Sequence, residues 1–185
     1  MKGARKWWLV PALLAAAALA NAQPFAERSV ELDGETLRYS IRAFAPDAHL
    51  IETATQTAPA SALQTAKVLN RFLSLGNLEE AALLSNAPRR RFEVFRDYQR
   101  SVGEEGFKRV FAEYFHPENR LVAEVLMDRH SLLVWHLREK DHYAGQYYVE
   151  VEGQVFMDDA PGEARSKLRR VLEAIRAGQI PLPLQ

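Results

Sequence analysis

Cysteine is absent from all 185 residues of the chain. Its absence excludes disulfide bonds, thiolate nucleophiles and metal sites built on cysteine. An excess of charge is absent as well, because 24 lysines and arginines balance 24 aspartates and glutamates. A protein that binds nucleic acid carries a basic domain or a basic stripe. We therefore expect no nucleic-acid partner.

The sequence also lacks the short motifs of common enzyme sites. It contains no GxGxxG or P-loop for phosphate, no HExxH for zinc and no GxSxG for a nucleophilic serine. Two Asp–His pairs, Asp128 with His130 and Asp141 with His142, have side chains that metals accept. They stand in successive turns of a predicted meander, at opposite ends of its sheet. We expect neither a cofactor nor a metal.

Residues 1–22 have the features of a leader. Lys2, Arg5 and Lys6 precede an apolar run at residues 7–20, which ends in the small residues Ala-Asn-Ala. This three-part pattern is typical of a secretory signal peptide. The alternative is a membrane anchor, but the run is short for a span of about 20 apolar residues. We expect cleavage after Ala22, a periplasmic or secreted protein, and no membrane attachment after cleavage.

Residues 23–60 are predicted to form an N-terminal hairpin and a linker. Apolar residues alternate on both sides of Asp33-Gly34, a dipeptide that favours a two-residue hairpin turn. The stretch at residues 45–61 is rich in Ala, Thr and Pro and has no clear period. That composition predicts a linker or surface loop.

Four helices are predicted in tandem next, over about residues 62–75, 78–85, 90–101 and 104–115. Their apolar residues recur at helical spacing. Gly76 is predicted to end the first helix, and Asn77 to cap the second. In the fourth, Phe107, Val110 and Phe111 are predicted to share one buried face with Tyr114.

From Leu121 the period changes to two, which predicts a four-stranded antiparallel meander. Leu121 and Ala123 are assigned to the same face of its first strand. A last helix is predicted from near Pro161 to Gly178, and residues 179–185 form a tail. The predicted fold class is α+β, with an N-terminal hairpin, tandem helices packed on a four-stranded antiparallel meander, and a C-terminal helix. Residues 61–178 form the helices-on-sheet domain.

One run gives a family resemblance. In ALQTAKVLNRFLSLGNLEEAALLSNAP, a helix ends in Leu-Gly-Asn and a short helix of LEEAALL type follows. This resembles the opening of nuclear transport factor 2-like domains, including SnoaL-like and lumazine-binding-like relatives. The resemblance covers roughly residues 62–159 and implies helices in the cup of a curved sheet. The paired helices within residues 89–115 depart from the usual strand-plus-helix insert. The superfamily holds isomerases, hydrolases and binding proteins, and none of their catalytic residues can be placed on this chain.

Four residues are candidates for binding a ligand or partner: Tyr114, Trp135, His136 and Tyr147. If the sheet curves round the helices, the aromatic side chains could line a pocket. His136 stands in the apolar run LLVWHL, where a buried imidazole could act as a general base. The alternative is a partly exposed, hydrogen-bonded histidine. Because neighbouring strand residues point to opposite faces, Trp135 is expected to face the helices and His136 the other side, covered by the hairpin or the last helix.

Two charged groups are ambiguous. Asp158 and Asp159 could share a proton, but they also precede a turn and a helix start, where acidic residues are favoured. The arginines at positions 89–91, with Arg96 and Arg100, could hold an anionic partner, or form a solvated helix face.

Three hypotheses of function follow. The first is a periplasmic or secreted module that binds a protein partner or a small apolar ligand without catalysis. The second is a cofactor-free hydrolase or isomerase that uses His136. The third is an immunity-type partner of a secreted effector.

Overall fold

The computed structural model describes residues 23–50 and 59–182. The predicted signal peptide, part of the linker and the last residues of the tail lie outside the described residues. None of the helices in the described part of the chain combines the length and the apolar character needed to cross a membrane.

Six strands form one antiparallel sheet, in which each strand pairs with the next along the chain. The strands are β1 (Ala26–Leu32), β2 (Glu35–Ala43), β3 (Arg120–Met127), β4 (His130–Leu137), β5 (His142–Val151) and β6 (Gln154–Met157). The α+β class is confirmed. The separate hairpin and four-stranded meander are wrong, because Ser40–Ala43 of β2 pairs with Ala123–Leu126 of β3. The alternation within β2 gives no information on so distant a partner.

The helices are α1 (Ala62–Leu75), α2 (Leu78–Leu83), α3 (Pro88–Val102), α4 (Glu104–Ala112) and α5 (Glu163–Arg176), with short 3₁₀ turns at Glu113–Phe115 and Arg138–Lys140. Ser61 caps α1, and Gly76 ends it at a positive φ of 82°. Asn77 does not cap α2 with its side chain, contrary to the prediction. Its backbone N–H bonds instead to the Phe72 carbonyl and so completes the C-terminal turn of α1.

The helices cover both faces of the sheet. Leu133 and Trp135 of β4 pack toward α1, whereas Leu132 and Val134 pack toward α5. Burial on both sides explains why β4 reads as a continuous apolar run. The expectation that a second element covers the far face is confirmed, and that element is α5.

A bulge in β3 changes which side chains share a face. The register with β4 shifts between Leu121 and Ala123. Leu121 therefore packs with Trp135 on the α1 side, whereas Ala123 packs on the α5 side. Their assignment to one face is wrong, because a bulge inserts one residue and reverses the alternation.

The α3–α4 hairpin is held mainly by aromatic contacts. Phe107 is fully buried and meets Phe95 edge to face, with ring centroids 6.4 Å apart. Phe111 is only partly buried and Val110 is exposed. The prediction that four residues share one buried face is therefore wrong for Val110 and only partly correct for Phe111.

The segment after β2 is not a surface loop throughout. Phe44, Ala48 and His49 are buried. Phe44 and Ala48 pack with Trp135 and the start of α1. The prediction failed here because buried residues in irregular backbone follow no period.

Candidate functional site

Polar side chains lie together inside the molecule, where α1 and the segment after β2 cover the sheet. We call them the interior polar cluster: His49, Asn70, Tyr114, Trp135, Gln146 and Tyr148. Gln146 and Tyr148 alternate along β5 and so point to the same side. Leu133 of β4 pairs with Gln146, and Trp135 stands two residues further along β4 on the same face.

Gln146 is the centre of the cluster. Its Oε1 accepts hydrogen bonds from Trp135 Nε1 (3.1 Å) and from the Tyr148 hydroxyl (3.0 Å). Its Nε2 donates to Asn70 Oδ1 at 3.3 Å. The indole N–H can only donate, so it determines which end of the Gln146 amide is the oxygen.

The same reasoning fixes the orientation of Asn70. Because the Gln146 amide donates to it, the atom of Asn70 nearest Gln146 is the oxygen. Asn70 Nδ2 then points elsewhere. It is buried and has no hydrogen-bond partner among the described residues.

His49 is the second member with an unpaired atom. The imidazole is 1% exposed and meets the Trp135 ring edge to face, with centroids 6.0 Å apart. Its Nε2 donates to the His116 carbonyl at 3.2 Å. Its Nδ1 is buried, and no described residue pairs with it. The pKa of His49 is lowered, mainly because the imidazole is buried. The ring is thus neutral at pH 7, with a free lone pair on Nδ1.

Trp135 contacts a second aromatic ring of the cluster. Tyr114 meets Trp135 edge to face, with centroids 5.1 Å apart. Burial raises the pKa of Tyr114, and it raises the pKa of Tyr148 well above its ordinary value. Both hydroxyls therefore remain protonated at neutral pH. Burial also lowers the pKa of Lys67, which stands one turn before Asn70 on α1.

The sheet separates the four residues predicted to bind a ligand or partner. Tyr114 and Trp135 belong to the interior polar cluster. Tyr147 and His136 lie on the opposite face, as the alternation along β4 predicted for His136. Tyr147 packs against the core under α5.

His136 borders an open depression of about 570 Å³ with Arg120, Arg138 and neighbouring residues. Its Nε2 donates to Asp141 Oδ1 at 3.0 Å, but the Asp141 side chain is 96% exposed. This pair therefore stands at the surface, and no enclosed pocket surrounds it among the described residues.

Asp158 and Asp159 do not stabilise the start of α5, contrary to the prediction, because that helix begins only at Glu163. Asp159 accepts hydrogen bonds from Ser85 Oγ (2.6 Å) and Arg91 Nε (2.7 Å). Asp158 pairs with Asn86 and His130. The two carboxylates therefore join the α2–α3 connection to the end of β6. Their partners lie far away in the sequence, which is why local context suggested a turn.

No family model, curated protein or solved structure matches the chain. Within residues 23–50 and 59–182, no three histidine, aspartate or glutamate side chains come together as they would around a metal ion.

Four members of the cluster are not among the residues predicted from the sequence: His49, Asn70, Gln146 and Tyr148. Asn70 stands directly after Leu69 in the buried part of α1, and Gln146 shares a face with Trp135. Both are amides on faces that bury apolar residues. That mismatch is the signal by which they could have been found.

Proposed function

We propose that the protein is a periplasmic or secreted binding module that holds a small, mostly apolar molecule against the interior polar cluster. The observation that carries the proposal is the pair of buried atoms without a partner, Asn70 Nδ2 and His49 Nδ1. Native proteins pair nearly all their buried polar groups, so each exception needs an explanation, and a bound molecule is the one we propose.

The two atoms have complementary chemistry. Asn70 offers a donor and neutral His49 offers an acceptor. An alcohol, a phenol or an amide provides the matching acceptor and donor. The rings of Tyr114 and Trp135 supply apolar surface for the rest of such a molecule, as is usual in ligand pockets.

Binding fits the cluster better than catalysis does. The imidazole of His49 bonds to a backbone carbonyl, and no hydroxyl of the cluster lies within hydrogen-bonding distance of it. A nucleophile activated by a base requires that contact. The proposed place of the ligand, between helices and sheet, agrees with the resemblance of residues 62–159 to nuclear transport factor 2-like domains.

The location is tested by mass spectrometry of the protein isolated from a periplasmic fraction. We expect a chain that starts at Gln23, as the leader pattern predicts. An intact Met1 in the membrane fraction would contradict the secreted module.

Binding is tested with the neutral fluorescent amine phenylnaphthylamine, whose N–H can donate to His49. Trp135 is the sole tryptophan of residues 23–185, so energy transfer from it to the probe reports binding beside the cluster. We expect saturable binding. His49→Phe should weaken it by about two- to tenfold, the value of one neutral hydrogen bond.

The matched control is His142→Phe, the same replacement at an exposed histidine. It should leave the affinity unchanged. If the probe does not bind, or binds both variants equally well, the interior polar cluster is not the ligand site.

A further inference from the structure

The open depression beside His136 lies where β3 begins and β4 ends, on the face of the sheet opposite to the interior polar cluster. We call it the His136 depression. Its volume is about 570 Å³, and its lining residues are Pro117, Glu118, Arg120, His136, Arg138 and Asp141. Arg120 of β3 stands directly opposite His136 of β4 in the register of the sheet. Because directly paired strand residues point to the same face, the two side chains meet in the depression.

The two chain segments that border the depression are joined by a buried side chain. Asn119, which is 5% exposed, accepts a hydrogen bond from the Arg138 backbone N–H at 2.9 Å. The same side chain donates to the Glu113 carbonyl at 2.6 Å. Arg138 also forms an ion pair with Glu118, at 3.1 Å. These bonds hold the segment before β3 against the segment after β4, so the depression has its shape before a ligand binds.

His136 stands in the middle of the depression and is restrained there. Its ring packs against the ring of Tyr143, the directly paired residue of β5, with centroids 5.2 Å apart. Its Nε2 donates to Asp141 Oδ1 at 3.0 Å. Arg120 therefore approaches the imidazole from β3, whereas Asp141 approaches it from the turn before β5.

Two charged groups of the depression have no partner of fixed opposite charge. Among the described residues, no carboxylate oxygen lies within 4.0 Å of the Arg120 guanidinium. Asp141 is 96% exposed, and its partner His136 carries a charge only when it is protonated. Glu118 and Arg138, by contrast, neutralise each other. The depression thus presents one cation and one carboxylate on two sides of an imidazole.

This charge arrangement favours a ligand that carries both signs. A carboxylate can accept two parallel N–H bonds from the guanidinium of Arg120, but it would be repelled by Asp141. An ammonium group can donate to Asp141, but it would be repelled by Arg120. A molecule with one carboxylate and one ammonium group satisfies both residues.

We propose that the His136 depression binds a small zwitterion of the amino acid type, with its carboxylate on Arg120 and its ammonium group on Asp141. The ring of His136 forms the floor between the two charged groups. The site and the interior polar cluster lie on different faces of the sheet, so either can exist without the other.

The test compares four molecules with the same four-carbon chain. 2-Aminobutanoate and 4-aminobutanoate carry both charges at two spacings, butanoate carries only the carboxylate, and butylamine carries only the ammonium group. Binding is followed through the NMR signals of the His136 ring, at constant ionic strength so that general screening cannot imitate binding. We expect at least one zwitterion to saturate the site about fivefold more tightly than butanoate or butylamine, since each of these lacks one ion pair.

Arg120→Gln and Asp141→Asn each remove one of the two charges, and each should weaken binding of the zwitterion about fivefold. Both side chains are exposed. Asp141 has a positive φ of 42°, a conformation that asparagine also tolerates, so both variants should fold. The control is Arg100→Gln, which changes an exposed arginine of α3 that pairs with Asp97, and it should leave the affinity unchanged.

Three results would overturn the proposal. The first is that neither zwitterion binds. The second is that butanoate or butylamine binds as tightly as the zwitterions, because one charge alone would then account for the binding. The third is that Arg120→Gln or Asp141→Asn binds the zwitterion as tightly as Arg100→Gln does.

Discussion

Replacing His49 with Phe removes both ring nitrogens from the interior while it keeps a planar ring beside Trp135. The variant loses the hydrogen bond from Nε2 to the His116 carbonyl. It leaves no new unpaired carbonyl, because the backbone N–H of Asn119 also donates to that oxygen, at 3.0 Å. It also removes the buried Nδ1 that lacks a partner.

The expected change in the free energy of unfolding follows from these two effects. Losing a neutral hydrogen bond costs about 0.5–1.5 kcal/mol, whereas removing an unpaired buried polar atom recovers about 1–3 kcal/mol. We therefore expect the ligand-free His49→Phe protein to be about 1 kcal/mol more stable than the unaltered protein.

The pH dependence of stability provides a second, independent test of this variant. Burial lowers the pKa of His49 below its ordinary value of 6.5. The unfolded chain then binds more protons than the folded chain as the pH falls through this range, so the folded state loses stability. His49→Phe lacks that loss, and its advantage should grow between about pH 7 and pH 5.

The assay is urea unfolding followed by Trp135 fluorescence, in ligand-free protein, at both pH values. The same variant should bind phenylnaphthylamine more weakly, so greater stability accompanies weaker binding. A residue kept only for structure would not show that combination. A variant destabilised by more than about 1 kcal/mol would refute the reasoning, because Nδ1 must then have a partner.

Three further predictions concern the fold and are checked by the same urea unfolding. Arg91→Ala leaves the buried Asp159 carboxylate without its cation and should cost about 3–5 kcal/mol; a loss below about 1 kcal/mol would show that water replaces the arginine. Phe107→Ala empties a fully buried site and should cost about 3–5 kcal/mol, and a near-neutral result would mean that α4 does not pack as described. Gly145→Ala places a Cβ 2.5 Å from Leu172 Cδ2 and should cost about 1–3 kcal/mol; unchanged stability would show that α5 can move away from β5.

Much of the secondary structure could be predicted because it depends on neighbouring residues. α1 follows from its helical spacing and from Gly76, whose positive φ of 82° suits glycine. The positions of β4 and α5 follow from a continuous apolar run and from a clean amphipathic stripe. Each of these signals lies within one segment.

Features that join distant segments could not be predicted in the same way. The pairing of β2 with β3 connects segments separated by all four helices of one layer. The bulge in β3 cannot be predicted from the alternation of residues, because the sequence is apolar both before and after the extra residue. The burial of His49 depends on packing against Trp135, which is distant in the sequence. The irregular segment around His49 has no periodic pattern from which this packing could be predicted.

The interior polar cluster shows the same limit at the level of the site. Trp135 and Tyr114 were candidates because aromatic residues are obvious in a sequence. Gln146 and Asn70 were not, since a polar residue in an alternating pattern is normally assigned to the surface. Only their fully or nearly buried positions, and the bond between them, show that they belong to the interior.

The most direct test of the central claim is the ¹⁵N NMR spectrum of the protein labelled at its histidine rings, recorded as phenylnaphthylamine is added. His49 is assigned by its absence from the spectrum of His49→Phe. Before addition, we expect a neutral ring with the proton on Nε2 and an Nδ1 that accepts no hydrogen bond. As the probe binds, the Nδ1 resonance should move as it does when an imidazole nitrogen accepts a hydrogen bond, while Nε2 stays in place. An Nδ1 resonance that does not change at saturating probe would contradict the claim that the interior polar cluster binds the ligand.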